Sequence, residues 1–417
     1  MRRACILTTV LALLGCQGVL SRELQANDLE ELAIQAVSDD GLGAEAAIAE
    51  LRARGPAGLD ALFAVPAAAT RQANNKPSQA TQEKDSAWQR VRHALDNVSG
   101  QRDCHAARLF WYTDFAEAHA AANQAHKPIL SLRLLGKLTD EFSCANSRFF
   151  RSTLYSNKEV AQMLRERFVL HWQTVRPAPI VTIDFGDGRK LLRTVTGNSV
   201  HYVLSADGQP LDALPGLYGP QAFMRCLERA DELARAVMAD DADKATLVAQ
   251  YHGRRSAELQ QAWQRDLEQL GISQTADQGQ RLPPEDLSDS VWSRVAVLHA
   301  SDAQLDAASR RLIASQHPVA AKAARVAMTK SAIEDPLVRL VRDLQGTIAL
   351  DTVRNEHLLH RRIHDWFAAG QVVGLEPFNE RVYAKLFLTP SSDPWLGLLP
   401  SAYTALDNDG VVVSAKH

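Results

Sequence analysis

The chain has 417 residues, 46% of them hydrophobic, and a formal net charge of −3. This length is enough to build two or three ordinary hydrophobic cores. The slightly acidic balance excludes binding to nucleic acid through a general excess of basic residues, and we expect no nucleic-acid partner. Beyond the N-terminus, no apolar run is long enough to predict a transmembrane helix.

The N-terminus has the parts of a bacterial export signal. Arg2 and Arg3 form a charged start, residues 6–14 form a short apolar segment, and Leu13-Leu14-Gly15-Cys16 resembles a lipobox. We therefore predict a signal peptide over 1–16 and a lipid anchor on Cys16, which would be the membrane attachment. Gln17 favours the periplasmic side of the outer membrane. A plain secretory signal with an incidental cysteine is the alternative.

Helical patterns flank the middle of the chain. Residues 17–68 read as a helix, a break at Gly55-Pro56 and a second helix, which is typical of one HEAT-like hairpin. A single such repeat cannot bury its own apolar face, so it must pack on another part of the chain. Residues 69–86 are polar and predict a linker. Residues 239–417 predict a mainly α-helical domain.

A Cys-x-x-Ser sequence stands where a strand gives way to a helix. The apolar run 129–135 predicts a buried strand ending at Gly136, and helical spacing follows Cys144. A cysteine in the first turn of a helix meets free N–H groups and the positive end of the helix dipole, which favour the nucleophilic thiolate. Ser147 would cap the helix or donate to that thiolate. The alternative is that Cys144 is a small buried hydrophobic residue beside Phe149 and Phe150.

The order of elements over 87–238 is helix, strand, helix, strand, hairpin and helix. This order, and several local matches, resembles the thioredoxin-like superfamily; the matches are Glu117-Ala118, Lys127-Pro128-Ile129-Leu130, Cys144, Phe168-Val169 and the turn Asp207-Gly208. The resemblance implies a mixed central sheet and a reactive thiol at Cys144. Ser147 stands in the place of the resolving cysteine, and Gly197-Asn198-Ser199-Val200 stands where the family has a cis-proline.

We therefore expect an α/β thioredoxin-like domain with a mixed central sheet, flanked by mainly α-helical N- and C-terminal regions. The expected function is binding or scaffolding by a lipid-anchored cell-envelope protein, with envelope proteins as partners and no cofactor. The alternative is a monothiol protein in which Cys144 carries out thiol-disulfide exchange or senses redox state. Any enzymatic activity would then be of the thiol-disulfide oxidoreductase kind.

Of the five cysteines, Cys5 and Cys16 belong to the signal, which leaves Cys104, Cys144 and Cys226. An odd number leaves at least one free thiol in an oxidising compartment. Cys104 lies in a polar stretch and is the better candidate for a distant resolving thiol. Cys226 lies on an apolar helix face and is expected in the core.

Two further patterns resemble metal sites. His357, His360 and His364 share one helical stripe, as a metal site on a helix requires, but a polar border beside an apolar face is the simpler interpretation and no metal is predicted. Residues 184–189 superficially resemble a calcium loop. They are too short for an EF-hand and predict a hairpin turn.

Overall fold

The computed structural model describes residues 27–65, 79–195, 197–239, 243–272, 287–317, 336–399 and 402–411. The predicted signal peptide and Cys16 lie outside these residues. Within the described ranges, no helix has both the length and the apolar character needed to cross a membrane.

The described part of the N-terminal unit contains α1 (27–36), α2 (Gly41–Ala53), α3 (Pro56–Ala64) and α4 (Gln79–Ser99). The predicted break is confirmed, because Gly55 has a φ of +65° and Pro56 is the first residue of α3. Helix α4 covers the apolar face of α2 and α3, and residues such as Leu51, Leu59 and Leu95 form one buried cluster.

The linker predicted over 69–86 is wrong from Gln79 onward, because α4 begins there. Residues 79–86 are polar, yet alanine, glutamine, glutamate and lysine are good helix formers, so low hydrophobicity does not exclude a helix. The polar composition of these residues therefore does not mark a linker, and they form the first turns of α4.

A four-stranded mixed sheet forms the centre of the molecule, in the order β2-β1-β5-β6. The strands are β1 (Ile129–Leu135), β2 (Val169–Arg176), β5 (Ser199–Leu204) and β6 (Pro210–Pro215). Strand β1 is parallel to β2 and antiparallel to β5, and β6 is antiparallel to β5. The α/β class and the predicted pairing of β1 with the strand near residue 201 are confirmed.

Helices cover both faces of this sheet, so every residue of β1 is buried. The helices on or beside it are α5 (Cys104–Ala107), α6 (Phe115–Ala125), α7 (Ala145–Phe149), α8 (Lys158–Arg167) and α9 (Pro220–Ala239). On one face, the His201 ring lies 4.6 Å from Phe150, in the π-helical turn after α7, and 5.0 Å from Phe223 of α9. On the other face, Tyr202 lies 5.3 Å from Phe378 of the C-terminal region. Buried on both faces, β1 shows a continuous apolar run with few polar residues.

A separate β-hairpin is inserted between β2 and β5. Its strands, β3 (Ile180–Asp184) and β4 (Lys190–Thr194), pair antiparallel, and the predicted turn over 184–189 joins them. The hairpin adds nothing to the core and exposes a set of large apolar side chains: Ile180, Val181, Ile183, Phe185, Leu192 and, just after β4, Val195.

The C-terminal region is helical, as predicted. Its helices are α10 (Lys244–Gln269), α11 (Asp289–Leu298), α12 (Ala307–Gln316), α13 (Pro336–Arg354), α14 (Arg361–Ala368) and α15 (Leu375–Lys385). A π-helical turn, Asn355–His360, joins α13 to α14. Together these three elements form one long helical stretch that begins at Pro336 and ends at Ala368.

The C-terminal region shares a core with the sheet. One cluster of buried side chains contains Leu132 and Tyr202 of the sheet together with Val353 and Phe378 of the C-terminal helices. The backbones also meet closely, since a Cβ on Gly219 would lie 2.2 Å from the carbonyl oxygen of Asp302. The boundary placed at residue 238 thus separates two stretches of sequence, but not two hydrophobic cores.

Candidate functional site

Cys144 lies where the sequence places it, at the junction of β1 and a helix. Gly136 ends the strand with a φ of +73°, and the loop returns so that the Cys144 N–H donates to the carbonyl oxygen of Leu135 at 3.1 Å. Cys144 is the N-cap residue of α7. It therefore stands just before the first turn, and the expected position at a helix N-terminus is confirmed.

The Cys144 side chain has no exposed surface. Burial raises the pKa values of Tyr155 and Tyr383, and the charge that Cys144 would carry as a thiolate raises both further. We call these three residues the Cys144 site. The Tyr155 hydroxyl is 2.7 Å from Nε2 of His201, whose pKa burial lowers to about 3. The surroundings of Cys144 thus include neutral, buried rings and hydroxyls.

Ser147 plays neither of the predicted parts. Its Oγ lies 2.9 Å from the carbonyl oxygen of Cys144, which accepts, and 2.6 Å from Ser143 Oγ, so one hydroxyl proton serves these two neighbours. It cannot serve as the N-cap, because Cys144 occupies that position. Its hydroxyl is engaged with the loop, so Ser147 stabilises the entry to α7 and is not the partner of a thiolate.

The three described cysteines are buried free thiols. Cys104 belongs to the core of the N-terminal unit, whereas Cys144 belongs to the cluster around the sheet. Burial raises the pKa of Cys104 to about 12. The structure does not join Cys104 to Cys144 as a resolving thiol. Cys226 lies in the core as predicted, 4% exposed.

A C-terminal segment, residues 383–393, packs along the edge formed by the end of β2 and the loop before β5. Asn198, in the loop before β5, donates from Nδ2 to Thr389 Oγ1 at 3.1 Å, and its carbonyl oxygen accepts from the Tyr383 hydroxyl at 3.3 Å. Arg176, at the end of β2, donates to the carbonyl oxygens of Thr389, Pro390 and Asp393 at 2.6, 3.0 and 2.7 Å. We call these three Arg176 hydrogen bonds the arginine clamp. It holds the C-terminal segment over this edge.

A second group of polar side chains is buried at β6, which is an edge strand of the sheet. Asp212 of β6, His360 and His364 each offer a ligand atom, and these three atoms lie within 4.8 Å of one another. His252 of α10 joins them, with its Nδ1 2.7 Å from Nδ1 of His364. We call these four residues the histidine cluster. Its members are between 0 and 3% exposed.

Charge in the histidine cluster is concentrated on one ion pair. His360 Nε2 lies 2.9 Å from Asp212 Oδ1. Burial alone would lower the pKa of His360, but the carboxylate outweighs it and raises this pKa to about 10. Burial would likewise raise the pKa of Asp212, but His360 holds it well below its usual range. Burial lowers the pKa values of His252 and His364, so both rings are neutral at pH 7.

The interpretation of the histidine stripe as a polar border is wrong, because His357, His360 and His364 are 5%, 3% and 1% exposed. The three histidines also have different neighbours. His357 packs against the ring of Trp263 at 4.9 Å, while the other two face Asp212.

Sequence reasoning missed Asp212 and His252. A signal for Asp212 was present, since a lone carboxylate in the apolar strand Pro210–Pro215 must find a buried partner. His252 offered no comparable signal, because its role depends on how α10 packs against α14.

Comparison of the chain with known proteins found no matching family model and no matching curated protein. The site must therefore be interpreted from its own geometry.

Proposed function

We propose that this protein is a lipid-anchored cell-envelope protein in which a thioredoxin-like domain serves as a platform for binding other envelope proteins. The strand order β2-β1-β5-β6, with a cysteine at the helix after β1, supports the thioredoxin-like part. The lipobox-like Leu13-Leu14-Gly15-Cys16 supports the anchor at the periplasmic side of the outer membrane.

The burial of Cys144 is the observation that carries the choice of a platform over a redox enzyme. A thiol that exchanges disulfides must meet the sulfur of its substrate, and reactive cysteines are partly exposed. Here the side chain is 0% exposed, and the neighbouring loop at Asn198 is bonded to Tyr383 and Thr389. A protein substrate could therefore reach the sulfur only if this part of the fold opened.

The hairpin β3–β4 supplies a candidate contact surface. Its apolar side chains are exposed on both faces; Phe185 is 56% exposed and Ile180 is 52% exposed. Exposed apolar groups of this extent mark interaction sites in soluble domains. The hairpin is a separate two-stranded sheet, so a partner strand can pair along its edge.

The test compares Cys144 chemistry in the native protein with that in Cys144→Ala, with Cys226→Ala as the matched control for loss of a buried thiol. We expect no disulfide reductase turnover, no disulfide-linked adducts in intact cells, and the same phenotype for both variants. Turnover comparable to that of a Cys-x-x-Cys protein, or adducts that vanish only in Cys144→Ala, would establish the monothiol alternative.

The anchor needs its own test. Cells labelled with radioactive palmitate should incorporate the label into the wild-type protein and not into Cys16→Ala, with Cys5→Ala as the matched control that retains it. Label on the Cys16→Ala protein would overturn the anchor.

A further inference from the structure

We propose that Asp212, His360 and His364 form a binding site for one divalent transition-metal ion, zinc in the first instance. Their donor atoms, one carboxylate oxygen and two imidazole nitrogens, lie within 4.8 Å of one another. Two imidazoles and a carboxylate are a donor set that zinc binds in proteins. The site is distinct from the Cys144 site and independent of the proposed platform function.

The hydrogen bonds of His252 fix the state of His364. His252 Nε2 lies 2.8 Å from the carbonyl oxygen of Leu211, which can only accept, so this nitrogen carries the proton. In the neutral ring Nδ1 is then an acceptor, and the neighbouring Nδ1 of His364 must donate to it across 2.7 Å. The remaining nitrogen of His364, Nε2, is left with a lone pair.

That lone pair is buried and has no hydrogen-bond partner among the residues that the structure describes. His364 is 1% exposed, and its Nε2 is among the buried polar atoms that lack a partner. A buried acceptor without a partner is costly, and native proteins rarely keep one without a reason. A metal ion bonded to Nε2 would satisfy it, while His252 would orient the ring from behind, as outer partners of metal-ligating histidines do.

The other two ligands are already held together. His360 Nε2 and Asp212 Oδ1 lie 2.9 Å apart and share a proton. Positive charge is favoured at this position, beside the carboxylate. Binding of the metal would release this proton to solvent and leave nitrogen and oxygen as ligands, as expected where ligands must be deprotonated. Because Asp212 belongs to the sheet and the two histidines to the C-terminal helices, the ion would bond these two parts of the shared core.

The experiment uses the full chain, stripped with a chelator and titrated with Zn²⁺ against a chromophoric competitor. We expect about one zinc ion per wild-type chain, in keeping with a single three-ligand site. His364→Gln and Asp212→Asn should weaken binding by more than about 100-fold, and His252→Gln by about 10- to 100-fold, the usual cost of losing an outer partner. His357→Gln is the matched control, since it is buried on the same helical stripe but packs on Trp263; its affinity should be that of the wild type.

Co²⁺ provides a second readout on the wild-type protein, which does not depend on whether a variant folds. Its visible absorption should show low-symmetry nitrogen and oxygen ligation, and Zn²⁺ should displace it stoichiometrically. Failure of the folded, stripped wild type to bind either ion would overturn the proposal. Equal zinc affinity in the wild type, His364→Gln and Asp212→Asn would overturn it as well.

Discussion

Removal of the arginine clamp should expose Cys144 without unfolding the protein. In Arg176→Ala, the carbonyl oxygens of Thr389, Pro390 and Asp393 lose the guanidinium that binds all three. The C-terminal segment keeps its other contacts, including the hydrogen bond between Asn198 and Thr389. We therefore expect local opening of this segment to become more frequent, and global stability to change less.

The size of the effect follows from the hydrogen bonds. A hydrogen bond to a charged group contributes about 1.5–3 kcal/mol. We take about 2 kcal/mol for the whole clamp, because Arg176 is half-buried and the freed carbonyl oxygens can bind water. Since 1.4 kcal/mol is a factor of ten, the opening equilibrium should rise about 30-fold.

The assay is alkylation of the folded protein, followed by mass spectrometry that resolves Cys104, Cys144 and Cys226. Where closing is fast, the labelling rate follows the population of the open state, so Cys144 should react about 30-fold faster in Arg176→Ala. The matched control is Arg52→Ala, which removes two similar bonds, to the carbonyl oxygens of Val98 and Trp111 in and beside the N-terminal unit. It should leave the rate at Cys144 unchanged.

Two results would refute this reasoning. If Cys144 in the wild type already reacts as fast as in denaturant, the C-terminal segment does not protect it. If Arg176→Ala accelerates all three cysteines equally, the variant has promoted global unfolding and the clamp is not a local cover.

Three further outcomes are expected. The hydrogen bond to Asp266 raises the pKa of His299 from 6.5 to about 10. Compared with His299→Gln, the wild type should be more stable by about 1–2 kcal/mol below pH 6.5, and this advantage should disappear as the pH rises to 10. A pH-independent difference in denaturant unfolding would contradict this. Phe150→Ala should lower the free energy of unfolding by about 3–5 kcal/mol, because the side chain is fully buried, and a loss below about 1 kcal/mol would contradict its place in the core. Ile183→Lys combined with Phe185→Lys should leave the unfolding free energy within about 0.5 kcal/mol per substitution yet abolish co-purification of envelope partners, and intact co-purification would remove the hairpin from the proposed contact surface.

Local signals explain what the sequence predicted well. The run Ile129–Leu135 is mostly apolar because β1 is covered on both faces, and the turn over 184–189 is rich in glycine and aspartate. The break at Gly55-Pro56 depends on backbone preferences of those two residues alone. Each of these features is decided within a few residues, so pattern and propensity are enough.

Contacts between distant parts of the chain explain what was missed. The cover over Cys144 depends on Arg176 and Asn198 meeting residues about two hundred positions later, and no local pattern records such a pairing. The burial of His364 likewise depends on β6 and α10. A helical stripe shows which side chains share a face, but it does not show what that face packs against.

The shared core has a consequence for the order in which the protein folds during synthesis. Strands β1 and β5 leave the ribosome well before α15, whose Phe378 covers Tyr202. Until residues 239–417 follow, one face of the sheet stays open to water and to other unfolded chains. We expect a nascent chain in this state to be prone to aggregation, and a chain truncated after residue 238 to stay so. For this protein, one face of the sheet is therefore buried only after translation has reached the C-terminal helices.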